Sequence, residues 1–479
     1  MSLMANIYKG AYQVPIYLGE SDQESDRAMR YLMRIDSHEV TYRDRLTSED
    51  HHALQMLLRR PWFSRVWVLQ EVYMSRTAVV YCGSYAASWR AIQILRGFDR
   101  QASISIGKWP YVTSIKDRAT LTAQAHLFQL LTEVRHCQAT DPRDKFFALL
   151  SMIPDAARHR LQADYSLTLG HVLQKASMHL TRYNGLKFLG AVQRHCQVPE
   201  LPSWVPDWTA PVIRGLLYPS MSKITNFSEF NAGPTWMESR GPLRLMCNLN
   251  DLFTQRFPRT SEDSLAQHLH VIGFCLGKIE LLLETIDLDK MEWMYVLDFC
   301  NQVALSVPQS SSLQEAQARI APFSPRSNPF SGKSGNSLLH FMLTELQHPR
   351  PVELLHGRVE PSLYDTEIFD PKNELHLLWR EHVKSIMDGR RFFATKDGFV
   401  GFAPAEAEIG DIVYILASGP VPYIVREAHC HHVEPIPATA QRASTYAFVG
   451  ESYVAGVMDA NKFMHFVGRE DSFDELILC

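Results

Sequence analysis

Apolar residues recur at helical spacing across residues 61–73, and this stretch is the one around which we expect the chain to fold. Pro61 suits a first helical position, where the missing N–H has no partner to lose. The spacing predicts a short, mostly buried helix with a large aromatic content. The β-branched run 77–82, stopped by Gly83, predicts a buried strand directly after it. The predicted buried face carries Trp62, Val66, Leu69 and Tyr73.

Similar spacing and capping residues predict helices along most of the first 190 residues. A capping box at Ser21–Glu24 predicts a helix that runs to about Ser37. Two prolines in the segment 201–208 exclude a helix there and favour an extended, packed segment. The other predicted helices begin near residue 48 or cover residues 89–98, 121–137, 142–150, 167–183 and 374–387.

Short apolar runs separated by turn residues predict strands, most of them near the C-terminus. Asp397-Gly398 predicts a hairpin turn, and a strand over 269–279 is expected to be broken at Gly273. The regular spacing predicts a small antiparallel barrel or sandwich from about residue 390 to 460. The predicted strands are 14–18, 269–279, 391–395, 399–402, 411–416, 421–426, 446–450 and 453–458.

These elements predict an α+β fold, with a helix-rich N-terminal half and a small antiparallel β-rich C-terminal region. A chain of 479 residues is long for one domain. We expect three regions: 1–155, a mainly helical 156–389, and the β-rich 390–479. The stretch 305–336 is rich in Ser, Pro and Gln and is predicted to be a flexible loop.

Composition narrows the class of function. The formal net charge of −4 gives no electrostatic basis for nucleic-acid binding. The sequence contains no run of about 18 apolar residues, so no membrane span is predicted. The first residues do not resemble a signal peptide. Eight scattered cysteines without a CxxC pair predict reduced, buried thiols in an intracellular, cytoplasmic protein. They are Cys82, Cys137, Cys196, Cys247, Cys275, Cys300, Cys430 and Cys479.

Two carboxylates, Glu71 and Asp144, lie in motif-like surroundings. Either could act as a general acid or base if burial raised its pKa. The alternative, which the sequence favours, is an ion pair with Arg60, Arg65 or Arg143 that orients helix ends. Because no nucleophile or second carboxylate stands at a set spacing, we expect no catalytic residues and no cofactor.

Other candidate sites have stronger structural explanations. The cluster His429–His432 could contribute metal ligands, but adjacent residues on an extended segment point to opposite sides, which favours a polar loop. Gly332-Lys333-Ser334 resembles the end of a phosphate loop without its first glycine or preceding strand. Trp204 and Trp208 could stack on a ligand, yet core anchoring is favoured. His51-His52 lack the i,i+4 spacing of a metal pair, so no metal is expected.

Five segments, in order, resemble the fungal heterokaryon incompatibility (HET) domain family, and together they extend over most of the chain. Each motif alone is modest, whereas their order and spacing make the match specific. The segments are Ile7-Tyr8 with Ala11 and Leu18-Gly19; Trp62–Glu71 with Cys82-Gly83; Asp141–Lys145 with Ala148–Leu150; Leu201–Trp208; and Gly410–Val413 with Gly450-Glu451, Tyr453-Val454, Gly456 and Met458-Asp459.

The resemblance implies a fungal intracellular protein of non-self recognition, or vegetative incompatibility, and programmed cell death. HET domains normally open with an α/β segment that contains Leu-Ser-Tyr-x-Trp-Gly-like and Trp-Ile-Asp-x-x-Cys-Ile-Asn-Gln-like strands. Neither occurs in this sequence, so we expect residues 1–155 to correspond to the C-terminal part of a truncated HET domain. The opening half of the family resembles TIR-type domains, some of which cleave NAD. If the two missing strands belong to the central sheet, their absence leaves an edge uncovered, and we expect such an edge to bind a partner.

We therefore expect a non-catalytic protein that acts through protein–protein contacts in allorecognition or cell-death signalling. Two alternatives stay open. One is a residual hydrolase or NAD-cleaving activity near Glu71, and the other is an accessory role beside a secondary-metabolite gene cluster. A protein partner is expected, without nucleic acid or a membrane span, and the sequence leaves open whether a small molecule binds.

Overall fold

In a computed structural model the chain divides into two compact units. The first comprises Met1–Ala176 and Trp208–Pro211, and the second comprises Ser177–Asp207 and Val212–Cys479. The N-terminal half contains mostly helices and the C-terminal part a large, mainly antiparallel sheet, which confirms the predicted α+β class. The structure describes residues 2–41, 44, 46–101, 123–153, 161–193, 198, 201–217, 268–287, 387–417, 419–428, 444–454, 458 and 473–479.

The first unit combines helices with a three-stranded sheet of order β1-β2-β3. Strand β1 (Val14–Tyr17) pairs parallel with β2 (Ala78–Cys82), which pairs antiparallel with β3 (Tyr85–Ser88). Both predicted strands are confirmed, whereas the short β3 was not predicted. The helices of this part are α1 (Ser2–Gly10), α2 (Gln23–Asp36), α3 (Ser48–Leu58), a 3-10 turn (Pro61–Ser64), α4 (Val68–Met74), α5 (Trp89–Gln101), α6 (Ala123–Val134) and α7 (Asp144–Phe147). Helix α8 (Leu169–Asn184) has its residues up to Ala176 in the first unit and the others in the second.

Among the described strands, β1 lies at an edge of this sheet, and its sequence suits that position. The backbone N–H groups of Val14 and Leu18 donate to the carbonyls of Thr77 and Tyr81 on the β2 side. Position 15 therefore faces away from β2, and Pro15 has no N–H to offer there. A proline facing outwards limits the capacity of an edge strand to pair with another strand.

The stretch 61–73 does not form the single helix that its spacing predicts. The 3-10 turn and α4 are separated by Arg65, which is extended at φ −75° and ψ 138°. There the backbone pairs with a distant segment, because Val66 N–H donates to the Gln138 carbonyl (2.9 Å) and Gln138 N–H donates to the Ser64 carbonyl (2.7 Å). These long-range hydrogen bonds replace the continuation of the helix.

Two glycines of the HET-like motifs meet at the carboxyl ends of β1 and β2. Gly83 N–H donates to the Gly19 carbonyl at 3.0 Å. Both glycines have positive φ, and a Cβ on Gly83 would also collide with the side chain of Ser21. Only glycine fits Gly83 without distortion, because L side chains rarely adopt this conformation.

The second unit is organised around a closed ring of five strands. Strand β4 pairs with β11, β11 with β9, β9 with β8, β8 with β7, and β7 returns to β4. The β11–β9 pair is parallel, and the other pairs are antiparallel. The far half of β4 carries β5, β6 and β10 in turn. These strands are β4 (Leu269–Thr285), β5 (Arg390–Thr395), β6 (Val400–Pro404), β7 (Ile412–Leu416), β8 (Pro422–Glu427), β9 (Ser444–Glu451), β10 (Tyr453–Val454) and β11 (Phe473–Leu478).

Strand β4 differs most from the prediction. It is not broken at Gly273 and does not end at 279, but continues to Thr285 with an irregular register between Cys275 and Gly277. The ladder places it in the C-terminal sheet rather than in the middle region. Strand β11 was not predicted. Buried apolar residues from several of these strands form one core: Leu276, Ile279, Phe393, Ala403, Ala407, Val413, Ile415, Ile424, Val449 and Val454.

Several predictions fall wholly or mostly outside the described residues. These are the loop 305–336 and, apart from Met387, the helix 374–387. Much of the predicted middle region 156–389 also falls there, so the three-region division stays a prediction. Within the described residues, no helix is long and apolar enough to cross a membrane.

The cysteines depart in part from the expectation of reduced, buried thiols. Cys82 and Cys137 are buried free thiols, as predicted. Cys275 is a free thiol but is exposed, because it lies where the alternation of inward and outward residues in β4 is interrupted. Cys479 is disulfide-bonded, so the prediction is wrong for this residue.

Helix α2 ends in a left-handed residue that is not glycine. The backbone N–H of His38 donates to the Ile35 carbonyl, and that of Glu39 donates to the Arg34 carbonyl. This is a Schellman ending with His38, at φ 61°, in the position where glycine is preferred. We expect His38→Gly to raise the free energy of unfolding by about 1 kcal/mol, because it removes the left-handed strain. Urea unfolding measures this, and a destabilised variant would contradict the assignment.

Candidate functional site

Asp144 of the HET-like Asp-Pro-Arg-Asp-Lys motif joins three segments of the first unit. It is the first residue of α7. The indole N–H of Trp67 donates to its Oδ2 at 3.0 Å, and the hydroxyl of Tyr165 donates to its Oδ1 at 2.6 Å. Both carboxylate oxygens therefore hold aromatic side chains that are distant in sequence.

The neighbouring charged residues of the motif make equally specific contacts. Arg143 pairs with Asp141 through Nη2 (2.7 Å) and Nε (3.0 Å), and this hydrogen bonding holds the pKa of Asp141 below its ordinary value. Arg143 Nη1 also donates to the carbonyls of Tyr165 and Leu167. We call Asp141, Arg143, Asp144 and Lys145 the 141–145 hub. Arg143, Asp144 and Lys145 bond to other segments, and Asp141 holds the guanidinium of Arg143.

Lys145 extends the hub to two further segments. Its ammonium donates to the carbonyls of Arg135 (3.0 Å) and Thr209 (2.9 Å). The guanidinium of Arg143 lies 5.2 Å from the centre of the Tyr165 ring, in cation–π contact. The charges of the motif are thus used to fix backbone and aromatic groups.

Glu71 forms the second indole–carboxylate contact of the unit. Trp62 donates its indole N–H to Oε2 at 3.3 Å, and Trp62 also packs edge-on against Phe63 and Trp89. Burial raises the pKa of Glu71, although the Trp62 hydrogen bond and the charge of Arg65 oppose the shift.

The charge of Glu71 affects the pKa of Tyr8 on α1. Burial raises the pKa of Tyr8, and the negative charge of Glu71 raises it further. A half-buried carboxyl with a raised pKa is chemically suited to proton transfer. Asp144 differs, because both of its oxygens already accept hydrogen bonds.

The ion pairs predicted for these carboxylates are wrong. Arg143 pairs with Asp141 instead of Asp144. Arg60 donates to the backbone carbonyls of Leu18 and Glu20 and has a longer contact to Asp22 at 3.5 Å. Arg60 therefore orders the loop between β1 and α2. The charge of Arg65 lowers the pKa of Glu71, but the contact that Glu71 makes with the indole of Trp62 defines its geometry.

Sequence reasoning missed a buried charge pair in the second unit. Glu451, the acidic residue of the Gly450-Glu451 motif, is 2% exposed, and Arg390 is fully buried. Glu451 Oε1 accepts from Arg390 Nη2 (2.8 Å) and from the Leu217 N–H (2.7 Å). Arg390 Nη2 also donates to the Gly215 carbonyl. Burial raises the pKa of Glu451, opposed by the charge of Arg390.

A signal for this pair was present in the sequence. Glu451 lies within the apolar run 446–454, and Arg390 lies close to the apolar run 392–394. Charges in such surroundings must be paired once they are buried. Gly190 packs against the same carboxylate, since a Cβ there would lie 2.5 Å from Glu451 Oε2. A second pair, Arg214 with Glu406 at 2.9 Å, lies in the same unit.

The remaining candidates have structural roles or lie outside the description. Trp204 and Trp208 are both fully buried, which confirms core anchoring. Trp204 packs on Phe188 in the second unit, and Trp208 packs on Phe128 in the first. His51 and His52 lie on α3, and the described residues contain no group of three His, Cys, Asp or Glu side chains placed to hold a metal. The clusters 429–432 and 332–334 lie outside the described residues.

Comparison with known proteins supports the resemblance at both ends of the chain. Residues 1–71 match the family model for the heterokaryon incompatibility protein (HET), and residues 376–473 match the Het-6 beta-barrel domain. The chain is 19% identical to heterokaryon incompatibility protein 6, OR allele, of Neurospora crassa, over 95% of this chain and 78% of that protein. No solved structure matches. The predicted resemblance to the HET family is confirmed.

The hub predicts a shared dependence of two aromatic residues on one carboxylate. Trp67→Phe and Tyr165→Phe each remove one donor to Asp144, and each is expected to lower the free energy of unfolding by about 1–2 kcal/mol. Because the two bonds share an acceptor, the double variant should deviate from additivity. Urea unfolding of the four proteins measures this. Asp164→Ala is the control, because among the described residues its carboxylate bonds to nearby Ser166, and equal losses there would contradict the hub.

Glu71 predicts a pH-dependent stability with a defined sign. Its pKa is raised in the fold, so its contribution is fully present below the ordinary value of 4.5 and is lost as pH rises through the raised pKa. Glu71→Gln keeps an acceptor for Trp62 but cannot ionise. The variant should gain stability relative to the native protein between pH 4 and about pH 8. Unfolding at both pH values tests this, with exposed Glu284→Gln as control; a constant difference would contradict it.

Proposed function

Starting from the resemblance to the HET family, we propose that this protein acts in heterokaryon incompatibility, the fungal non-self recognition that ends in programmed cell death. It acts in the cytoplasm and through contacts with another protein rather than through catalysis. The use of the motif charges supports this proposal. The hub residues hold aromatic side chains and backbone groups in place, and this is a structural role for their charges.

The observation that carries the proposal is a group of exposed apolar side chains in the first 17 residues. Tyr12 is 91% exposed and Ile7 is 52% exposed, and Met4 and Tyr17 are also exposed. All four lie within the segment that matches the HET model. The four positions lie near each other in the sequence, and large exposed apolar side chains are candidates for protein contacts, in which tyrosine contributes strongly.

A second candidate function rests on Glu71. Its raised pKa and half-buried position are those of a possible general acid or base, and this favours a hydrolase or NAD-cleaving activity as the alternative. The two candidates make different predictions for two variants. Loss of the apolar contacts should abolish a contact-based function, and loss of the carboxyl should abolish a catalytic one.

Expression in a filamentous fungal host tests both candidates. We expect the native protein to arrest growth and to co-purify with a host protein. The double variant Ile7→Ser/Tyr12→Ser should lose both effects, because it removes exposed apolar area without disturbing the core. Ile409→Ser, at a 68% exposed position of the second unit, is the matched control and should behave as the native protein.

The same strains distinguish the alternatives. Cellular NAD content should be unchanged by the native protein, and Glu71→Gln should still arrest growth. NAD depletion that Glu71→Gln abolishes would favour the catalytic alternative. Normal growth with the native protein and no co-purifying partner would contradict the proposal. A fluorescent fusion tests the cytoplasmic location.

A further inference from the structure

Tyr165 combines an exposed position with a structural hydrogen bond. It lies in a turn ahead of α8, and its side chain is 45% exposed. The neighbouring residues Asp164 and Ser166 are also exposed. Residues 161–164 before it have no regular secondary structure. Its hydroxyl nevertheless donates to Asp144 Oδ1 at 2.6 Å, and so it takes part in holding the first unit together.

We propose that Tyr165 is a phosphorylation site, and that its modification opens the contact between Asp144 and the aromatic segment 61–74. The contact between Tyr165, Asp144 and Trp67 is called the aromatic clasp below. The proposal goes beyond the recognition function and does not depend on it. It concerns a covalent change at the hydroxyl of Tyr165 and the effect of that change on the indole of Trp67, because Asp144 accepts hydrogen bonds from both.

The chemistry requires ATP and a tyrosine-directed protein kinase. The phenolic oxygen attacks the γ-phosphorus, an O–P bond forms, and the bond from that phosphorus to the β,γ-bridging oxygen breaks. ADP leaves, and the phenolic proton passes to the kinase base. The hydroxyl cannot react while it donates to Asp144, so the kinase captures molecules in which the clasp is open.

Three changes at the clasp follow from the added group. The donor to Asp144 is lost. A phosphoryl group of about −1.5 to −2 charge then stands beside the carboxylate that had accepted the hydroxyl, and like charges at hydrogen-bond distance repel. Arg143, whose guanidinium lies over the Tyr165 ring and pairs with Asp141, becomes an alternative partner for the phosphate.

These changes reach Trp67 through Asp144. The other oxygen of the carboxylate accepts the Trp67 indole at 3.0 Å, so a displaced Asp144 leaves that N–H without its acceptor. The titratable groups that face the clasp are Asp141 and Arg143 from its own motif, and Asp164 precedes Tyr165. Asp141 and Asp164 add to the negative charge, so Arg143 is the nearest cation to compensate the phosphate.

The test uses the purified full-length protein, with and without a broad-specificity tyrosine kinase and Mg·ATP. Mass spectrometry locates the phosphate, and hydrogen exchange reports on residues 61–74. We expect phosphate on Tyr165 and at least fivefold faster amide exchange in that segment. Tyr165→Phe should abolish both ATP-dependent changes. Tyr12→Phe, which removes a more exposed tyrosine outside the clasp, should keep them.

Two results would overturn the proposal. One is phosphate on Tyr12 under conditions that leave Tyr165 unmodified. The other is phosphate on Tyr165 with unchanged exchange in residues 61–74. Asp144→Asn tests the electrostatic step, since it removes the charge that repels the phosphate. The ATP-dependent acceleration should be smaller in this variant, and an equal acceleration would contradict repulsion as the cause.

Discussion

The first unit depends on two hydrogen bonds between indoles and carboxylates. Trp67 donates to Asp144 and Trp62 donates to Glu71, and a hydrogen bond to a charged acceptor is stronger than one between neutral groups. The consequence for Asp144 is architectural, because its second oxygen also holds Tyr165. One short motif thereby fixes the aromatic segment, the start of α7 and the turn before α8.

The second unit contains a buried pair of opposite charges. Arg390 of β5 and Glu451 of β9 are buried, and removal of either would take away the nearest opposite charge of the other. Arg390 also donates to the carbonyl of Gly215, and Glu451 accepts from the N–H of Leu217, so the pair also fixes the segment that contains these two residues. A buried pair of this kind is weak evidence for added stability, but it fixes the segments that it joins.

This use of charge bears on function. Carboxylates in motif positions suggest a catalytic interpretation, and burial does raise the pKa of Glu71. Asp144, in contrast, has no free oxygen, and Asp141 is held by Arg143. The proposal of a contact-based role in incompatibility rests instead on exposed apolar side chains of the first unit, of which Tyr12 is 91% exposed.

Local sequence determined the period and the boundaries of most elements. Apolar spacing located α2, α3, α5 and α8, although α2 is capped by Asp22 with Ser25 and not by the predicted box at Ser21–Glu24. Alternation with turn residues located the strands from β5 to β9. The motifs alone indicated the HET family. Only the tertiary structure decided the break at Arg65, the closure of the barrel by β4 and β11, and the donors that Asp144 and Glu451 accept. The reason is physical: a period or a cap is encoded within a few residues, whereas these choices depend on partners such as Gln138, Tyr165 and Arg390 that lie far away in sequence.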